Sequence, residues 1–332
     1  MVFDREREIL LELVRVTENA ALKAARFMGS GDKNAVDAAG VEGMRGMLDQ
    51  VRINGTIIIG EGEKDKAPML YNGERVGTGG DSMEVDIAVD PVEGTSLVAN
   101  GMPGAISVLV AAGKGSLMPF PTFYAHKIAV GPDAKEGISM DESVRVNLHV
   151  AAANLGKKVR DLTVVVLNRP RHEQLIKEIR ECGARIKLIQ DGDVAAAIAT
   201  ALPDTGVDML MGIGGSPEAV ITAAAMKCLG GELLTKMYAP DKNQQERALA
   251  AGYTDLNAVF CAEDLARGEE IILCATGVTD GEMLKGVRFE GNKSITESIA
   301  MRYHTGTIRK ILTMHDLSRK TIRGSSGVHQ KV

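Results

Sequence analysis

Between residues 6 and 28 the apolar side chains Ile9, Leu10, Leu13, Val14, Ala20, Ala21, Ala24 and Met28 recur at helical spacing, and Gly29-Ser30-Gly31 follows them. The spacing puts them near one face of a helix, which the glycines stop. Asn34 then suits an N-cap, and Val41, Met44, Leu48 and Val51 continue an apolar stripe that also contains Asp37. A carboxylate on such a stripe needs a partner. From Gly55 onward the texture changes to short β-branched or apolar runs at 56–59, 85–89 and 105–112, punctuated by glycine, which predicts strands. After about residue 155 strand and helix alternate. Strands are expected at 162–167, 186–189 and 207–211, with helices from Glu173, from Val194 and after residue 211. This reads as an α/β (α+β) chain in two lobes, 1–155 and 156–323. The polar, glycine-rich residues 324–332 are expected to lack regular structure.

Composition narrows the function. With 332 residues the chain can bury a substantial core, and with 3% aromatics and no Trp that core is aliphatic and methionine-rich. The same scarcity removes the stacking surfaces of single-stranded nucleic-acid binders. A formal net charge of -5 gives no bulk attraction to nucleic acid or anionic lipid. Cys182, Cys228, Cys261 and Cys274 are scattered singly, which points to reduced thiols rather than a zinc knuckle or disulfide framework. Charges alternate over Asp4-Arg5-Glu6-Arg7-Glu8, and no apolar run approaches the roughly eighteen residues of a membrane span. The expectation is a cytoplasmic protein with no nucleic-acid or membrane partner.

Candidate chemistry lies where acids follow strands, because hard divalent cations need carboxylate oxygens converging from separate segments. Residues 56–59 run into Gly60-Glu61-Gly62-Glu63-Lys64-Asp65. In 85–90 the side chains of Asp86, Ala88 and Asp90 share one strand face, and Pro91 is expected to end the strand before Glu93-Gly94-Thr95. A helix starting near Thr95 would offer backbone N–H groups to a phosphate beside Asp90 and Glu93. The third segment, 209–218, passes through Gly212-Ile213-Gly214-Gly215 to a Pro217-initiated helix with Glu218 in its first turn. Its glycines lack GxGxxG spacing, so a dinucleotide loop is disfavoured. A cap or turn would explain any one of these acids, but three acidic strand ends together favour a metal site.

Basic and sugar-binding candidates follow two later strands. In Asn168-Arg169-Pro170-Arg171-His172 two guanidiniums can grip a phosphate, or form a charged turn before a helix. Asp191-Gly192-Asp193 can accept from sugar hydroxyls, or cap the helix beginning at Val194. The six histidines form no HxH or HExxH, and neither a GxSxG elbow nor a Cys/His signature is present, which disfavours a covalent hydrolase.

Asp90-Pro91-Val92-Glu93-Gly94-Thr95 resembles the Asp-Pro-x-Asp-Gly-Thr signature of the lithium-sensitive, inositol-monophosphatase-like sugar phosphatases, with Glu93 in place of the second Asp. Gly60-Glu61-Gly62-Glu63 also departs from that superfamily's adjacent glutamates. The class II fructose-1,6-bisphosphatases are more similar. Their likeness runs along nearly the whole chain through Arg15-Val16-Thr17-Glu18, Gly31-Asp32-Lys33-Asn34, Ile59 to Glu63, Ala67-Pro68-Met69-Leu70-Tyr71 and Asp191-Gly192-Asp193-Val194-Ala195.

The resemblance implies a layered α/β/α/β/α sandwich and hydrolysis of fructose 1,6-bisphosphate to fructose 6-phosphate and phosphate, a gluconeogenic step, by a metal-activated water without a covalent intermediate. It implies Mn²⁺ or Mg²⁺ ligands at Asp37, Glu61, Asp90, Glu93 and Glu218. Asp65 and Thr95 are the implied catalytic groups. Substrate contacts fall by the same matching on Glu93, Gly94, Thr95, Tyr124, Arg169, Pro170, Arg171, Asp191, Gly192, Asp193 and Gly215. A homo-oligomer, dimer or tetramer, is also implied. Sedoheptulose 1,7-bisphosphate is the alternative substrate, and a non-catalytic sugar-phosphate-binding regulator the alternative class.

Overall fold

The computed structural model describes residues 5–61, 69–323 and 329–331. The chain forms two compact units, Met1–Leu117 with Gly268–Val332, and Met118–Arg267. Its first passage through unit one gives α1 (Arg5–Ala24), α2 (Lys33–Leu48), β1 (Ile53–Ile59), β2 (Arg75–Val76), β3 (Met83–Glu93), α3 (Thr95–Ala99) and β4 (Ile106–Gly113). Unit two contains β5 (Tyr124–Val130), α4 (Val144–Asn154), β6 (Thr163–Leu167), α5 (Glu173–Glu181), β7 (Arg185–Ile189), α6 (Asp193–Ala199), β8 (Met209–Gly215), α7 (Ser216–Leu229), β9 (Glu232–Tyr238), α8 (Lys242–Ala250) and α9 (Ala262–Leu265). The return to unit one adds β10 (Ile271–Gly277), β11 (Arg288–Glu290), β12 (Lys293–Arg302), β13 (Thr307–Asp316), β14 (Thr321–Arg323) and β15 (His329–Lys331). The fold class is α/β, with a mixed sheet in each unit. The four cysteines are free thiols, and among the described residues no helix is long and apolar enough to cross a membrane.

In unit one the eight-stranded sheet has the order β11-β12-β10-β4-β3-β1-β2, with β13 also on β12. Only β1 and β3 run parallel; the other pairs are antiparallel. The apolar stripes of α1 and α2 bury Leu13, Val14, Met44 and Leu48 with Ile57, Ile87 and Leu109 of the sheet. The N-cap of α2 is Asp32, whose carboxylate accepts from Ala35 N at 3.0 Å, not Asn34. An acid just outside the first turn serves the free N–H groups, and Asn34 is already helical. Strand β3 continues through Pro91 to Glu93, where a proline stop was expected. Its pairing with β4 shifts register between Asp90 and Glu93, so the missing N–H of Pro91 falls at the irregularity. Nearby, the Asp90 carboxylate accepts from Val92 N at 3.0 Å.

A buried polar chain lies under β12 and β13. Lys320 Nζ lies 2.7 Å from His315 Nδ1, and His315 Nε2 lies 2.8 Å from Thr296 Oγ1. Thr296 Oγ1 donates to Glu18 Oε1 at 3.4 Å. Burial, reinforced by the nearby Lys320 charge, lowers the His315 pKa to about 4. The neutral ring can therefore accept from Lys320 at one nitrogen and donate to Thr296 at the other.

Unit two carries the five-stranded sheet β7-β6-β8-β5-β9. β6 is parallel to β7 and β8, whereas β5 is antiparallel to β8 and β9. Leu148, Ile179, Val164, Val166, Met209 and Val130 form its core. The change of texture near residue 155 lies inside this unit, between α4 and β6. Local pattern does not reveal that β5 joins the later strands, nor that β10 to β13 rejoin the first sheet. At the C-terminus, where no regular structure was expected, β15 pairs antiparallel with β14. A three-residue backbone ladder needs no apolar periodicity.

Candidate functional site

In unit one Asp90 and Glu93 close β3. Asp90 is half-buried and Glu93 only 5% exposed, and a ligand oxygen of one lies within 4.8 Å of a ligand oxygen of the other. Two carboxylates this close repel, and a hard divalent cation with oxygen preference relieves the repulsion. Helix α2 approaches this strand end closely, since a Cβ on Gly40 would fall on Val92 Cγ2 and within 3.4 Å of Pro91 Cβ. Asp37 precedes Gly40 by three residues and so lies near the same helix face. Glu61 follows β1, with its N–H on Leu70 O at 2.9 Å. Gly62, Glu63 and Asp65 lie outside the described residues. Asp86 belongs to the framework: buried to 3%, it accepts from Leu117 N at 3.2 Å. Gly94, in the left-handed region at φ 90°, leads into α3. Thr95 Oγ1 donates to Val92 O at 3.0 Å, which leaves its lone pairs to accept a hydrogen bond.

In unit two the glycines ending β8 make room for polar side chains. A Cβ on Gly212 would meet the His172 ring at 3.0 Å, one on Gly214 would overlap Asp193 Oδ2, and one on Gly215 would overlap Glu218 Oε2. The sequence Gly212-Ile213-Gly214-Gly215 is thus a row of clearances. Glu218 occupies the first turn of α7 behind Pro217, as its spacing predicted.

Asp193 differs from its expected role as a sugar-hydroxyl acceptor. Both its carboxylate oxygens accept from Lys127 Nζ, at 2.9 and 2.7 Å, with the two side chains 5% and 1% exposed. Buried charge requires such pairing, so Asp193 offers its backbone more readily than its carboxylate. Lys127 was missed by sequence reasoning. The available signal was a single cation in the middle of the otherwise largely apolar run 125–130.

Arg171 donates to Ile213 O at 3.2 and 2.8 Å, with its guanidinium 5.0 Å from the Tyr124 ring centroid. Tyr124 is 38% exposed. Arg169 lies 3.7 Å from Asp191, and both remain partly accessible. Pro170 opens the short turn between the arginines and α5. His172 fastens that turn: Ile213 N donates to Nε2 at 2.7 Å, so the Nδ1 proton is directed at Leu167 O, also at 2.7 Å. Burial, then the Arg171 and Arg169 charges, lower its pKa, which suits a ring that must accept at Nε2. Gly192, also left-handed at φ 73°, turns the chain into α6. Tyr124, Arg169, Pro170, Arg171, Asp191, Gly192, Asp193 and Gly215 therefore all lie on the β5, β6, β7 and β8 ends of one sheet or their adjoining turns.

The acid pair of unit one is chemistry suited to a hard divalent ion, and the arginines, acids and backbone turns of unit two are chemistry suited to a phosphorylated ligand. Residues 7–315 match the family model described as bacterial fructose-1,6-bisphosphatase, glpX-encoded. The chain is 45% identical over 327 residues to fructose-1,6-bisphosphatase 1 class 2 of Escherichia coli, covering 95% of this chain and 97% of the relative. The class 2 fructose-1,6-bisphosphatase of Shigella flexneri matches with the same identity and coverage. The chain belongs to the class 2 fructose-1,6-bisphosphatase family.

Proposed function

We propose that this chain hydrolyses fructose 1,6-bisphosphate to fructose 6-phosphate and phosphate. The observation that carries this reading is the family match along 95% of the chain. The paired Asp90 and Glu93 oxygens support it from the side of the chemistry. Asp37, Glu61, Asp90, Glu93 and Glu218 are the residues that would hold Mn²⁺ or Mg²⁺, an all-carboxylate set suited to such ions. A bound divalent ion supplies charge neutralisation at the phosphate and acidity to a water.

Thr95 accepts a hydrogen bond from that water and fixes its direction. Asp65 takes its proton as it attacks phosphorus in line. Glu93, Gly94 and Thr95 border the scissile phosphate. Arg169 and Arg171, with Pro170 setting the turn, hold the remote phosphate and thereby favour a bisphosphate over a monophosphate. Tyr124, Asp191 and the backbones at Gly192, Asp193 and Gly215 position the sugar. Placement in the inositol-monophosphatase-like superfamily, a cytoplasmic gluconeogenic role and assembly into a homo-oligomer belong to the same proposal.

The test is phosphate release from fructose 1,6-bisphosphate with Mg²⁺, with Mn²⁺ and with EDTA, beside fructose 6-phosphate. Metal-dependent release from the bisphosphate alone is expected. Release unaffected by EDTA would remove the metal from the reading. Faster turnover of sedoheptulose 1,7-bisphosphate would reassign the substrate.

A further inference from the structure

Strand β13 is ten residues long and pairs with β12 along its whole length; among the described residues no strand pairs with its other edge. Its backbone orientation follows from the neighbouring hydrogen bond. Leu317 N donates to Asn292 O at 2.8 Å, and the register runs without a shift from Lys293↔Asp316 to Arg302↔Thr307. In an antiparallel ladder hydrogen-bonded residues alternate. The odd-numbered residues therefore turn their N–H and C=O groups toward β12. Ile308, Lys310, Leu312 and Met314 turn theirs outward, and Asp316, next in the same series, gives its C=O to the Lys320 N–H at 2.8 Å. The side chains of these same five share one face, on which Ile308 is 43%, Leu312 65% and Met314 76% exposed. A long edge with outward backbone groups and an apolar face is a template for another strand.

The sequence of that edge is self-complementary. A second copy related by a two-fold axis normal to the sheet must set even-numbered residues against even-numbered ones, so that the outward hydrogen-bonding groups meet. With the axis at Thr313, Leu312 faces Met314 and Lys310 faces Asp316, twice over. With the axis at Leu312, Lys310 would instead face Met314, and Asp316 would face Ile308. With it at Ile311, Lys310 would face Leu312. Of these three registers only the Thr313 axis joins apolar to apolar and cation to anion. The Asp316 carboxylate is still surface-accessible, with Arg319 at 3.4 Å on its own chain, and can take a second cation.

We infer that β13 is the contact between two copies of this chain, paired antiparallel about Thr313 so that two sheets become one. Such a contact is isologous and closed, and it removes the exposed edge. It deepens the homo-oligomer already proposed by assigning the strand and register of its contact, and it does not depend on the hydrolytic activity.

The test uses the full chain. In Thr313→Cys the two thiols would sit opposite each other at a non-hydrogen-bonded position, with Cα atoms about 4.5 Å apart, within disulfide range. Mild oxidation should convert most of this variant to a dimer on a non-reducing gel. Arg309→Cys, which faces Leu317 in this register, should stay at the wild-type background. Sedimentation should show Leu312→Lys with half the wild-type assembly mass and an unchanged melting temperature, because Leu312 is solvent-exposed. Lys310→Asp should weaken the assembly, and adding Asp316→Lys should restore it. A wild-type chain that sediments as a monomer at micromolar concentration would overturn the inference. So would an undiminished assembly in Leu312→Lys, or cross-linking through Arg309→Cys in place of Thr313→Cys.

Discussion

In unit one the site acids are placed by local backbone. Asp90 and Glu93 belong to the last four residues of a single strand, and Asp37 follows from the period of one helix. In unit two the corresponding side chains are placed by partners remote in sequence. Lys127 on β5 holds Asp193 at the start of α6, Ile213 holds both Arg171 and His172, and Gly214 and Gly215 clear space for carboxylates. The first arrangement concentrates like charge and calls for an ion. In the second, Asp193, Arg171 and His172 are paired within the unit. Substitutions in unit one should therefore act mainly on activity, and those in unit two on stability.

The largest expected effect is in unit two. Lys127→Met leaves the Asp193 carboxylate buried without its partner, and should cost roughly 3–5 kcal/mol of folding stability in a urea titration. Adding Asp193→Leu should recover part of that loss, because an apolar pair carries no desolvation cost. A single variant as stable as wild type would break the comparison. Next is Glu93→Gln, which should lower metal-dependent phosphate release by on the order of 100-fold, about 2.7 kcal/mol in barrier. Its urea midpoint should hold, since one of two repelling charges is removed. A midpoint collapse with normal metal affinity would make Glu93 structural.

Gly215→Ala comes third. Its Cβ would overlap the Glu218 carboxylate, so about 1–3 kcal/mol of overpacking is expected, together with a rightward shift of the metal titration. A stability loss with no shift would detach Glu218 from the metal. The smallest effect sharpens the comparison from unit one, where the His315 chain is the buried counterpart of His172. The folded pKa of His315 is lowered to about 4 from its usual 6.5, so the fold favours the neutral ring. This contribution is complete above about pH 6.5 and fades as pH falls toward 4, amounting to about 1 kcal/mol lost near pH 5.5. Unfolding free energies measured across that window should show the slope, and His315→Gln should flatten it.

What was legible in the sequence was what depends on near neighbours. The period of Ile9 to Ala24 marked α1, β-branched runs marked β1 and β4, and Pro217 with Glu218 marked the start of α7. Asn34 and Pro91 misled because each competes with an adjacent residue: Asp32 caps better than a residue already inside the helix, and β3 shifts register to accommodate a proline. The pairing of Lys127 with Asp193 and the clearances along β8 are tertiary facts, invisible to any window. A lysine inside an apolar strand announces that an acid must meet it without saying which. Asp65 stands apart, because its reading rests on resemblance and its position lies outside the described residues.

The interrupted course of unit one has a consequence for how the chain emerges from synthesis. Strand β4 is hydrogen-bonded to β10, so residues 106–113 wait for residues 271–277 before the middle of that sheet can close. Unit two is contiguous and its pairings span shorter loops. Closing long loops is slow. The contiguous unit should therefore acquire protection from hydrogen exchange first, while β4 still presents an unpaired edge. During that interval the nascent chain is most exposed to aggregation, and its most vulnerable segment is the apolar run of β4.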